Sequence, residues 1–153
     1  MDKAELYGRI ATEIAAVNAG ETSMIARYAT ACCLLNGAFP QFYWTGFYLV
    51  DPLKPSELVV GPYQGTLGCL RIPFGKGVCG TVAASGKTVL VEDVHKFPGH
   101  IACDSKTMSE IVVPVFDKAG ELAAVLDIDS TDLATFDAVD QAGLEAICKT
   151  LLL

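Results

Sequence analysis

The chain has 153 residues, of which 52% are hydrophobic and 19% charged, and a formal net charge of −7. That length suits one domain, spanning 1–153, with a core large enough to need no staples. The apolar content excludes a disordered chain, the negative charge argues against a nucleic-acid or anionic-membrane surface, and no apolar run approaches the ~20 residues of a membrane span.

The opening, MDKAELYGRIATEI, interleaves acids with apolar residues and does not read as a signal peptide. The expected compartment is cytoplasmic, where cysteine pairs tend to be catalytic or metal-binding rather than structural. Leu6, Ile10, Ile14 and Val17 form an apolar stripe at helical spacing. Gly20 stops that helix, and Thr22 is placed to cap the next. Met24, Tyr28, Ala31, Cys32 and Leu35 form a second stripe, ended by Gly37 and Pro40.

Gln41 to Val50 is rich in aromatic and β-branched residues and predicts a strand. Asp51 to Glu57 holds two prolines and predicts a turn, with Leu58 to Pro62 returning as the partner strand. Leu70 to Pro73 is a short strand, Gly77 to Ser85 a short helix, and Thr88 to Val91 another strand. Glu92 to Thr107 shows no periodicity; a stretch of that length inside a compact domain points to a lid or binding loop. Ile111 to Phe116 and Leu122 to Ile128 predict a second hairpin through Asp117 to Gly120. From Asp137 a final helix carries Leu144, Ile147, Cys148 and Leu151 on one face. Helices at both ends around about six mostly antiparallel strands make an α+β domain, with a pocket expected on the sheet face under the long loop.

Three of the six cysteines sit in segments suited to chemistry. Cys103 has His100, Asp104 and Lys106 as neighbours, and nearby positive charge lowers a thiol pKa toward the reactive thiolate. Cys79 follows Gly75-Lys76-Gly77 at a helix start, where the helix dipole favours thiolate. Cys69 lies at a strand start. A nucleophile and a resolving thiol are the minimum for a thiol redox cycle. Zinc is the rival use of Cys69, Cys79, His95, His100 and Cys103, but structural zinc ligands usually come in tight pairs, and these cysteines are widely spaced. Cys32, Cys33 and Cys148 read as small core residues.

In LDIDS, strand alternation puts Asp127 and Asp129 on one face, with Glu110 opening the neighbouring strand. Such acids suit a substrate ammonium, or, with raised pKa, proton donation; ordinary solvation at strand ends is the alternative. Trp44 and Tyr48 fall on one side of the first strand, as core or as an apolar pocket wall.

Taken together, GPYQG-x₃-C-x-RIPFGKGVCGT, VEDVHKFPGHIACD, SEIVVP and VLDIDS resemble the free methionine-(R)-sulfoxide reductases, which are stand-alone GAF-domain enzymes; YWTGFYL is similar to the same family's first strand. The resemblance covers about Leu6 to Leu151 and implies a GAF-like fold. It also implies roles: Cys103 as nucleophile, Cys69 as main resolving thiol, and Cys79 as an additional one. Glu110, Asp127 and Asp129 would hold and protonate the substrate, and Trp44 and Tyr48 would lie near its methyl group. It implies a cytoplasmic homodimer reduced by thioredoxin, needing no metal or organic cofactor. A GAF-type ligand sensor and a thiol redox sensor without turnover are the alternatives.

Overall fold

The computed structural model of the protein describes residues 1–152. Helix α1 (Lys3–Asn18) starts at a capping box: the Asp2 carboxylate accepts from the Glu5 amide and Glu5 accepts in return from the Asp2 amide. Its buried line is Tyr7, Ile10, Ile14 and Asn18. Val17, expected on that stripe, is exposed, and Leu6 is half-buried. Both lie at the margin of a face that Tyr7 centres. Helix α2 (Met24–Ala38) is capped by Ser23, not Thr22: the Ser23 hydroxyl accepts from the Ala26 amide. Gly37 falls inside its last turn.

Strand β1 (Trp44–Asp51) pairs with β2 (Lys54–Gln64), which starts four residues before the expected partner strand. The predicted turn shrinks to Pro52 and Leu53, closed by the Asp51 carboxylate accepting from the Leu53 amide. Pro55 is tolerated because it falls where the β1–β2 register shifts, so its missing N–H leaves no ladder bond unmade. Strand β3 (Arg71–Pro73), helix α3 (Gly77–Ser85) and strand β4 (Val89–Val91) lie close to their predicted bounds. Then come a single 3₁₀ turn (Val94–Lys96), β5 (Ser109–Phe116), β6 (Leu122–Ser130) and α4 (Ala138–Leu151), the last capped by Asp137.

The six strands form one sheet in the order β3-β2-β1-β6-β5-β4, with every neighbour antiparallel. Alternation splits the apolar residues between two cores. Phe47, Ile111, Val113, Val115, Leu126 and Ile128 pack under α1, α2 and α4. Trp44, Tyr48, Val112 and Val125 face the other way, toward α3 and the segment after β4. Among the described residues, no helix is long and apolar enough to cross a membrane.

Candidate active site

The second sheet face, under α3 and the segment from 92 to 107, carries a cleft of about 500 Å³ including its open mouth. The strand register builds its floor. Glu110 on β5 stands opposite Asp129 on β6, and Asp127 lies two residues along the same face. Cys79, Cys103, Trp44, Tyr48 and all three acids line this one cleft. The sequence-predicted site residues are thus brought together, with Cys69 joined to them by a bond.

That bond is a disulfide between Cys69 and Cys103, whose Cα atoms are 5.7 Å apart. The other cysteines are free. Cys32 and Cys148 are buried in the helical core as expected, but Cys33 is exposed. Ala31 and Cys32 already fill the inward positions of that turn, and Cys33, about 100° further round the axis, falls on the solvent side.

Cys79 departs further from expectation. It sits in the first turn of α3, as expected, but it is buried there. Burial pushes its thiol pKa well up, and the Asp127, Glu110 and Asp129 carboxyls beside it add to the rise. These effects override the helix dipole, which is worth about 1 kcal/mol at such a position.

The acids behave as one coupled group. Glu110 and Asp127 are buried at 5% exposure each, with Asp129 beside them. Burial raises all three pKa values well above the carboxylate range. Asp129 adds to the rise at Glu110, Glu110 at Asp127, and Asp127 at Asp129. The burial of Glu110 and Asp127 excludes the strand-end solvation alternative for those two; Asp129 is half-buried. Asp127 Oδ1 has no hydrogen-bond partner. A buried unpartnered oxygen is costly and marks a place where a ligand donor fits.

His100 Nε2 lies 3.4 Å from Glu110 Oε1, an ion-pair distance. Yet burial lowers the imidazole pKa while it raises the carboxyl's. Burial thus works against an ion pair at this contact. Nothing in the sequence paired these two residues.

Trp44 stacks between two tyrosines, its ring centroid 5.6 Å from Tyr48 and 5.0 Å from Tyr63. Its indole Nε1–H donates to the Thr66 carbonyl at 2.8 Å. Glycine makes this seat possible: a Cβ on Gly46 or Gly68 would run into the Trp44 ring. Burial raises the Tyr48 phenol pKa, aided by Asp127, so its hydroxyl stays neutral.

The five-residue zinc set is not assembled. Cys69 and Cys103 are bonded to each other, and exposed His95 pairs with Asp93 at 3.2 Å. The set that could hold a metal ion among the described residues is different: Cys79, Glu110 and Asp127, with donor atoms within 4.8 Å of one another.

With this geometry in place, comparison with known proteins is direct. The GAF domain family matches residues 3–151. The free methionine-R-sulfoxide reductase of Escherichia coli is 44% identical over 151 residues, covering 99% of this chain and 89% of that protein. Protein YtsP of Bacillus subtilis is 45% identical over 150 residues, covering 98% of this chain and 91% of that protein. Among solved structures, the free methionine-R-sulfoxide reductase from Neisseria meningitidis in complex with its substrate is 48% identical. It covers 99% of this chain and 89% of that one, with a TM-score of 0.93.

Proposed function

Because the chain belongs to the GAF-domain family and, within it, to the free methionine-R-sulfoxide reductases, we propose that its cleft reduces free L-methionine (R)-sulfoxide to L-methionine. The observation that carries this reading is the meeting, in one cleft, of a disulfide-forming pair of thiols and three carboxyls of raised pKa, Glu110 and Asp127 buried and Asp129 half-buried.

A sulfoxide oxygen leaves poorly unless it is protonated. Burial raises the pKa of both Glu110 and Asp129, with Asp129 adding to the rise at Glu110 and Asp127 to that at Asp129, so either suits the proton donor. Cys103 thiolate attacks the substrate sulfur, methionine departs, and Cys103 is left as a sulfenic acid. Cys69 then attacks that sulfur, forming the disulfide and releasing water. The bonded pair corresponds to the end of this half-cycle. Thioredoxin reopens it by thiol exchange, in a cytoplasmic homodimer. Cys79 is a reserve thiol, its pKa raised first by burial and then by the Asp127, Glu110 and Asp129 carboxyls beside it.

The orphaned Asp127 Oδ1 is the acceptor assigned to the substrate ammonium. A peptide-bound methionine has no such group, which accounts for selection of the free amino acid. The Trp44–Tyr48 wall takes the S-methyl end.

The test is a single turnover of pre-reduced protein without reductant, offering the free R sulfoxide, the free S sulfoxide and a peptide-bound R sulfoxide separately. We expect about one methionine formed and two thiols lost per chain, from the free R substrate alone. Methionine from an equally treated Cys103→Ser protein would overturn the assignment. No methionine from any substrate would make the cleft a ligand-sensing one.

A further inference from the structure

Asp104 follows Cys103 directly, and its carboxylate gathers three donors from three parts of the chain. The Thr66 hydroxyl donates to Oδ2 at 2.6 Å, the Tyr43 hydroxyl to Oδ2 at 2.8 Å, and the Lys106 amide to Oδ1 at 2.9 Å. Tyr43 immediately precedes β1, on the rigid centre of the sheet. Thr66 lies three residues before Cys69, in the connection from β2 to β3. Its carbonyl is already held by the Trp44 indole. One carboxylate therefore ties the segment bearing Cys103 to the segment bearing Cys69, and both to the sheet.

The same three donors hold the Asp104 pKa below the usual carboxylate range, Thr66 most strongly. The anion, and with it the tie, is present throughout the neutral range. Neither cysteine segment is regular structure: Cys69 precedes β3, and Cys103 lies in bends and turns. Without such a tie, bringing their sulfurs together would carry a loop-ordering cost.

We infer that Asp104 is a positioning residue that, through Thr66 and Tyr43, sets the rate at which Cys69 reaches oxidised Cys103. The inference rests on the proposed reductase cycle and concerns its second step. In that step Cys69 thiolate attacks the Cys103 sulfur, the S–S bond forms, the S–O bond breaks, and the hydroxide leaves as water after taking a proton. The carboxylate takes no part in these bond changes; it fixes the approach. A misplacement on the order of 1 Å costs about a hundredfold in such a reaction.

The experiment separates the two steps. Reduced full-length protein is mixed with free L-methionine (R)-sulfoxide. Methionine, disulfide and dimedone-trapped sulfenic acid are then followed in time. In the parent protein, disulfide should keep pace with methionine, and little sulfenic acid should be trapped. In Asp104→Asn, methionine should form within about threefold of the parent rate while disulfide lags about tenfold and trapped Cys103 accumulates. Thr66→Val should shift the balance the same way by about threefold, and Thr66→Ser, which keeps the hydroxyl, should restore it. A general loss of structure would slow both steps together and would not respond to the hydroxyl. A parallel arm uses hydrogen peroxide, which converts Cys103 thiolate to sulfenic acid with no methionine sulfoxide present. Disulfide closure at the parent rate in both Asp104→Asn and Thr66→Val, in this arm, overturns the inference. Slowed closure there, with no methionine formed in the first arm, would keep the tie and sink the reductase reading instead.

Discussion

At the residue scale the site is defined by groups held away from their ordinary ionisation. Glu110 is the clearest case: burial and Asp129 push its carboxyl up, and burial pushes neighbouring His100 down. An acid of raised pKa is protonated below that pKa. The proton-donating step should therefore weaken as pH rises through it, and Glu110→Gln should remove or shift that limb of the kcat profile. The same groups load the fold. The unfolded chain ionises these carboxyls above the ordinary range, whereas the folded one resists, so stability is lost as pH rises toward the folded pKa. Asp129→Asn should stabilise the protein by about 1 kcal/mol at pH 8 and by much less at pH 4, measured by urea unfolding. Equal gain at both pH values would contradict the assignment of ionic strain. Alternation in LDIDS was enough to put Asp127 and Asp129 on one face. Their burial was not legible, because it depends on α3 and the segment from 92 to 107 closing over them. The burial of Cys79 was hidden for the same reason, and local charge pointed the other way.

At the element scale, most strands and helices were legible, because periodicity and caps are local. Helix α3 came out at its observed bounds, with Gly86 in left-handed conformation at its end. The misses follow from tertiary pairing. β2 extends because β1 offers it partners beyond Leu58, and Cys33 turns outward because Cys32 takes the inward position, its thiol meeting the Pro62 carbonyl. Two elements meet tightly where α1 crosses α4. The Tyr7 hydroxyl donates to buried Asp140 at 2.7 Å, and Lys3 pairs with the same carboxylate at 2.8 Å. Tyr7→Phe should cost about 2 kcal/mol in chemical denaturation, since it strips a bond from a buried charge, and should leave turnover of the folded protein unchanged. On the other side of the sheet, Gly46→Ala forces a methyl into the Trp44 ring. It should cost about 2 kcal/mol and raise KM more than it lowers kcat, because it moves the wall of the cleft rather than the thiol.

At the scale of the whole molecule, the sheet is a partition. Three helices stabilise one face, and the cleft occupies the other. The Cys69–Cys103 bond closes a 34-residue separation that contains β3, α3 and β4. Loop-entropy arguments give such a cross-link up to about 3–4 kcal/mol. Reduction should then lower Tm by about 10 °C, and Cys69→Ser should match the reduced protein with or without reductant. An unchanged Tm would mean that the reduced loops stay as ordered as the oxidised ones. The β5–β6 register has a further consequence. A slip of β6 by one residue would turn Leu126 and Ile128 toward the cleft face and drive Asp127 and Asp129 under α1, α2 and α4, among apolar side chains. A chain so misaligned would bury carboxyls among apolar side chains, so it cannot persist as a well-folded but inert impostor. Specific activity thus doubles as an assay of folding: in a purified sample, titrating competent sites counts the correctly assembled molecules.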